Sequence, residues 1–448
     1  MKVHIKWYIS FTIITLVAIT SLFWKTDHTF NANVFNTIDQ IDKADTAWLL
    51  TSSCLVLLMT PGLSFFYGGM VGKKNVISTM LQSFVCLGVI SLIWITFGFS
   101  LAFGDSSITI PIGGNSYGLI GNFTQYAFFD QVGLYPHKTI ATSIPFILFA
   151  MFQMKFAIIT PALITGSFAE RVRFVSYLLF ICLFSIIIYT PLCHAVWHPN
   201  GILGAYFGIK DFAGGTVVHM SAGIAALAGA LYIGKRTTIS HTPTNIPFVL
   251  LGTGMLWFGW FGFNAGSALA ADGTAATAFA TTTAASAAGM ITWIFFDRIN
   301  GRKISALGAC IGTVVGLVAI TPAAGFVTVP ESVFFGFISA IVSNLCLNWA
   351  FIKKVDDSLD VFACHGVGGI MGMILTAIFA AGENTSLLHG GWNIFGHHMA
   401  ALGLVFILTF FGSILLFNFT NLIIPLRVSK KSEEVGLDVS QHNESYII

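Results

Sequence analysis

Apolar residues run in long blocks along this chain, each block closed by a short polar break. After residue 45 the breaks divide it into eleven blocks, near 46–70, 76–103, 141–168, 174–198, 212–234, 246–269, 275–297, 304–326, 331–352, 358–381 and 399–426. About 20 apolar residues is the length an α-helix needs to cross a bilayer. The pattern predicts an all-α polytopic membrane protein with eleven core transmembrane helices over residues 46–426. Basic residues orient them. Lys73, Lys74, Arg171, Arg173, Lys235, Arg236, Arg298, Arg302, Lys303, Lys353, Lys354, Arg427, Lys430 and Lys431 all follow odd-numbered blocks, and the alternate breaks hold only Lys138 and Lys210. Cytoplasmic loops carry the excess of Lys and Arg, so the first core helix starts outside and the last ends inside.

Ahead of the first block stands MKVHIK, then the apolar run WYISFTIITLVAITSLFW and a polar stretch to Asp45. A basic start followed by an apolar run suits a secretory signal peptide. The run is long for one and no clear cleavage site follows, so residues 1–45 read either as a leader with a periplasmic linker or as an extra helix with one. Composition agrees with the membrane reading: 9% of the 448 residues are charged and 55% hydrophobic, against about 25% charged in soluble domains. All seven cysteines lie inside apolar blocks without C-x-x-C pairing, as small buried hydrophobes do.

Two echoes link the halves. Ile159-Thr160-Pro161-Ala162 in the third block recurs as Ile320-Thr321-Pro322-Ala323 in the eighth, and His219 with Gly223-Ile224 in the fifth recurs as His365 with Gly369-Ile370 in the tenth. Each partner lies five blocks on, and an odd offset reverses direction across the membrane. Two inverted five-helix repeats plus a last helix are expected, with a pathway at the repeat interface.

The histidines sit deep. A rise of 1.5 Å per residue puts His219 about 12 Å beyond Asp211, and His365 enters from the opposite side. A lone histidine there would read as a satisfied core residue. Two in repeat-related, glycine-flanked positions read as lining a pathway. Two facing imidazoles can share a proton between ring nitrogens, which suits a narrow pore whose cargo is small and can lose a proton. A hydrated metal ion would call for carboxylates or a ring of carbonyls instead.

The stretches FYGGMVGKKNV (66–76), FAERVRF (168–174), DFAGGTVVH (211–219), GWFGFNAGSA (259–268) and VDDSLDVFACHGVGGI (355–370) together resemble the ammonium transporter (Amt/Rh) family, in its bacterial Amt branch. The resemblance implies eleven helices per subunit, a pore through each subunit, a homotrimer in the bacterial inner membrane, ammonium or methylammonium as cargo and no cofactor. It makes His219 and His365 the twin pore histidines, Phe156 and Phe263 the outer gate, and Trp197 with Ser267 the outer recruitment site. The Trp197 face would attract a cation by about 0.5–2 kcal/mol. Asp211 resembles the family's buried aspartate near the outer mouth, read here as holding the helix start and favouring a cation; a plain N-cap is the simpler role, and both can hold. Glu170 with Arg171 reads as structural pairing. Lys155, beside Phe156 and well inside the third block at a position where the family motif varies, reads as facing another subunit or snorkelling to an interface. The tail 427–448 resembles the family's cytoplasmic regulatory tail through Gly436-Leu437-Asp438, His442 and Tyr446, and implies a PII-type signal protein as partner.

Transport of ammonium with a proton relay is the expected function. An ammonium sensor with little flux is the rival, although a sensor would be expected to carry an output domain after the tail. A gas channel of the Rh type is the runner-up within transport, and the GWFGFNAGS and Trp197 pieces side against it. Nothing in the sequence assembles a metal-ligand set, nucleophile elbow or phosphate loop, so an enzyme is not expected.

Overall fold

A computed structural model describes residues 5–27, 29–237 and 242–446. A first helix, α1 (Ile5–Phe23), precedes eleven apolar ones: α2 (Lys43–Met70), α3 (Lys73–Phe103), α4 (Phe146–Phe168), α5 (Phe174–Trp197), α6 (Gly215–Ile233), α7 (Ile246–Ala268), α8 (Gly273–Ile299), α9 (Ala306–Ile320), α10 (Val329–Asn348), α11 (Phe362–Phe379) and α12 (Trp392–Ile423). All except α1 and α9 reach full membrane-spanning length by themselves. The expected blocks return as helices, so the chain is an all-helical polytopic membrane protein. The apolar pattern carries the eighth block to 326, but its helix ends at Ile320. Pro322 has no N–H to continue the ladder, and Thr321 closes on the Val318 carbonyl instead. The last helix begins at Trp392, a turn or more ahead of its apolar block.

Two features lie outside the expected pattern. Between α3 and α4 a short antiparallel hairpin, β1 (Ser106–Ile112) and β2 (Asn115–Gly121), turns at Gly113 and Gly114. Both glycines take positive φ, 60° and 86°, which a two-residue hairpin turn favours. The chain after α1 is built onto the same end: Gln131 N–H donates to the Asp27 carbonyl, Asn36 N–H to Pro136, and Asp42 N–H to Ser143, with Phe35 buried. The α1 helix itself is widely exposed, Leu22 at 80%.

The helix α6 is the centre of the bundle, with 89% of its apolar window buried against 33% for α8. Small residues make this possible. A Cβ on Gly223 of α6 would overlap the backbone of Gly366 in α11, so the two helices cross with their main chains in contact. At the opposite end from the hairpin, the basic loops converge with the tail. Arg236 binds Asp356 and Glu170, Arg171 Nη1 lies 3.9 Å from Asp356 Oδ2, and Arg427 binds Glu433. Glu170 and Arg171, expected to pair, are thus joined crosswise to other loops. That gathering of the cation-rich breaks at one end is what the positive-inside reading requires.

Candidate functional site

The segments that carry the two histidines start alike. Gly215–Met220 and Phe362–Val367 are each wound as one π-helical turn before tightening into regular α-helix, a local widening often found at functional positions. Each start is capped by an aspartate eight residues before its histidine. Asp211 accepts N–H groups from Gly214 (2.8 Å), Gly215 (2.6 Å) and Thr216 (2.8 Å), and the Thr216 hydroxyl at 2.5 Å. Asp357 accepts the Phe362 N–H at 2.7 Å, the position that corresponds to Thr216. Sequence reasoning missed Asp357. The shared eight-residue spacing to His219 and His365 was the signal that could have found it.

These helix starts aim both rings at one point. His219 and His365 are 1% and 3% exposed, their ring centroids are 5.4 Å apart, and the two Nδ1 atoms are 3.3 Å apart. One nitrogen must donate and the other accept, so a single proton lies between the rings and their tautomers are coupled. His219 also stacks on Trp260, at 5.2 Å and 18°, and the Trp260 indole N–H donates to Thr321 Oγ1 at 2.8 Å. Trp260 therefore fixes the plane of one ring, a role the motif alone did not disclose. Beside the pair lies a cavity of 10 Å³, lined among others by Leu63, Ile159, Trp260 and Val314. That is room for about one water-sized molecule.

Phe263 lies over His219 at 5.9 Å, and Phe156 stacks on Phe263 at 4.1 Å and 27°. Both phenylalanines are buried, and together they separate the small cavity from an outer one of 160 Å³. Trp197 meets Phe156 edge-on at 5.9 Å and lines the outer cavity with Ser267 and Gln153. The indole N–H of Trp197 donates to the Asp211 carbonyl at 2.9 Å, which ties the outer wall to the cap of α6. Ser267 Oγ donates to the Phe263 carbonyl at 2.8 Å, so its lone pairs remain for a donor in the cavity. The six residues Trp197, Ser267, Phe156, Phe263, His219 and His365 thus form one continuous column, and Asp211 holds its upper part. Lys155 is not in it. It is 9% exposed on α4 and does not line the outer cavity.

The tail packs on its own chain, at the end of the bundle where the basic loops gather. Leu437 N–H donates to Asn75 Oδ1, and the Asp438 carboxylate accepts N–H groups of Ile77 (3.1 Å) and Ser78 (2.7 Å) at the start of α3. His442 Nε2 lies 3.2 Å from Ser78 Oγ, and Asn245 Nδ2 donates to the Tyr446 hydroxyl at 2.9 Å.

Apolar helices packed around a buried histidine pair, closed on one side by stacked aromatic rings, define a polytopic membrane protein with a polar site at its centre. Residues 47–447 match the model of the Ammonium Transporter Family. The chain is 42% identical to an ammonium transporter of Bacillus subtilis, over 89% of its own length and 97% of the relative's, and 40% identical to an ammonium transporter of Aquifex aeolicus, over 93% and 96%. Among solved structures it resembles Mep2 of Saccharomyces cerevisiae, with a TM-score of 0.79 at 33% identity over 87% of this chain and 88% of that one. It also resembles a sensor Amt protein, at 0.79 and 30% over 89% and 98%. The chain belongs to the ammonium transporter family: it is a multi-pass membrane protein for ammonium transport and not an enzyme.

Proposed function

We propose that this transporter recruits NH4+ at Trp197 and Ser267, passes ammonia through the Phe156–Phe263 gate and along His219 and His365, and hands the proton taken from NH4+ to a ring nitrogen of the histidine pair, which relays it. The observation that carries this reading is the 3.3 Å approach of the two Nδ1 atoms beside a cavity with room for one small molecule. Moving an intact ammonium ion into such a dry site costs on the order of tens of kcal/mol, whereas neutral ammonia loses far less. A proton passed along the two imidazoles in the same direction as ammonia carries the charge across by a separate route, and the net flux is then electrogenic. Methylammonium follows the same route.

The test is flux in proteoliposomes, with ammonium compared against potassium. A His219→Ala, His365→Ala double variant should lose ammonium-selective current. If it keeps wild-type current and selectivity, the histidines are structural.

The resemblance to a sensor Amt protein keeps a sensing role as the second reading; a folded wild-type protein that binds ammonium without measurable flux would favour it. We also propose that the chain works as a homotrimer in a bacterial inner membrane, and that residues 427–448 receive a PII-type signal protein. The docked Gly436–Tyr446 segment supports the latter. Copurification from cells shifted to high ammonium should recover such a partner, and its absence with the oligomer intact would remove that claim.

A further inference from the structure

His137, His194 and His198 stand together at the outer end of the bundle, and the transport scheme above uses none of them. His137 lies in the loop ahead of α4, His194 in the last turn of α5, and His198 just after it. The rings of His194 and His198 stack at 4.3 Å and 14°, and His137 packs on Phe146 at 4.9 Å and edge-on to Phe35 at 5.8 Å. Hydrogen bonds settle which ring nitrogens are bare. A backbone N–H only donates, so a ring nitrogen that faces one must accept. His137 Nδ1 accepts the N–H groups of Thr139 (3.3 Å) and Ile140 (3.2 Å), and His198 Nδ1 accepts that of Asn200 (3.2 Å). His194 is fixed the other way. Its Nδ1 donates to the Ala102 carbonyl at 3.0 Å, which in the neutral ring leaves Nε2 to accept from Ser106 Oγ at 2.9 Å.

His137 and His198 thereby each clamp part of the outer rim. Thr139 and Ile140 line the 160 Å³ outer cavity, and so does Pro199, which lies between His198 and Asn200. A proton added at either Nδ1 turns the acceptor into a donor aimed at another donor, and the clamp opens. We infer that His137 and His198 form an acid-released latch on the outer mouth. Neutral, they hold residues 137–140 and 198–200 around the outer cavity; protonated, they release both segments and set positive charge where a cation enters. Both rings are partly exposed, within reach of protons from outside. Burial lowers both imidazoles from 6.5 to about 4; Asp105 opposes this at His137, and His137 adds to it at His198. Lys138, next to His137 in the chain, gives its ammonium to the Ala32 carbonyl. A released ring returns to its ordinary 6.5, so release is absent above that value and gains favour as the pH falls towards about 4. The effect on transport, though not the latch, rests on the outer-site reading above.

Two measurements test it, each with equal pH on both sides of the membrane. One is amide exchange at Thr139, Ile140 and Asn200, corrected for the intrinsic pH dependence of exchange. The other is concentration-dependent ammonium flux in proteoliposomes, since ammonium stays protonated over this range and its supply is constant. From about pH 7 to about pH 4.5, wild type should lose protection at those amides, and its half-saturating ammonium concentration should rise about tenfold. A His137→Asn, His198→Asn double variant puts a side-chain carbonyl in place of each Nδ1, in a turn that asparagine forms readily, and that oxygen does not titrate. It should match wild type at neutral pH and show neither change in acid. If it does not accumulate in the membrane, the single variants replace it, each expected to keep only its own amides protected. Full protection of wild type in acid, or the same loss in the asparagine variants, overturns the latch. Loss of protection in wild type alone, with half-saturation unchanged, supports the latch and overturns the outer-site reading.

Discussion

Gly223 and Gly366 meet backbone to backbone where α6 crosses α11, one turn beyond His219 and one residue beyond His365. The contact sets how close the two rings can come. A valine at 223 would press its Cβ and two methyl groups against main chain, which cannot rotate away as a side chain could. Gly223→Val should cost about 1–3 kcal/mol or more and force the histidines apart. A lowered unfolding temperature together with lost ammonium flux is expected; normal flux would mean the crossing has slack.

Trp197 touches Phe156 edge-on and holds the Asp211 carbonyl through its indole N–H. Trp197→Leu removes the π-face and that hydrogen bond together. The half-saturating ammonium concentration should rise several-fold, since a cation–π contact is worth about 0.5–2 kcal/mol, and selectivity should loosen. Wild-type concentration dependence in this variant would take Trp197 out of the site.

Asp357 does for the helix of His365 what Asp211 does for the helix of His219. Asp357→Ala leaves the Phe362 N–H without its cap and should destabilise the start of α11 by about 1 kcal/mol. Flux should fall with it, because that first turn positions His365. Asp357→Asn still offers an acceptor and should recover most of both. Equal thermal stability of the alanine variant and wild type would show that the cap is dispensable.

The docked tail should respond to acid. Burial lowers the His442 imidazole from its ordinary value of 6.5, against the pull of Asp438 and Glu444, while Ser78 and Phe174 pack on it. A lowered value means that docking favours the neutral ring. Its contribution is complete above pH 6.5 and is lost as the pH falls below that value. Asp438, raised from 3.8 by its own burial, acts with the opposite sign at lower pH. Hydrogen exchange in residues 436–446 should therefore quicken between neutral and mildly acidic pH in wild type, and His442→Gln should flatten that response. An identical pH response in the glutamine variant would assign it elsewhere.

Much of the fold is legible in the amino-acid sequence alone. Eleven apolar blocks and the alternation of Lys and Arg specify number, order and orientation of the helices, because in a bilayer each backbone segment must satisfy its own hydrogen bonds and charge must stay on one side. The repeat is visible in His219 and His365 with their trailing glycines, and the aromatic and serine positions through family resemblance. What the tertiary structure decided was contact between residues distant in the chain. The 3.3 Å separation of the two imidazoles depends on the crossing of Gly223 with Gly366, on helices that the sequence keeps far apart. Trp260 joins His219 only because α6, α7 and α9 meet there. The crosswise partners of Glu170 and Arg171 come from loops that converge only in the folded bundle. Hydrophobic periodicity reports which face of a helix is apolar; it carries no record of which helix lies opposite.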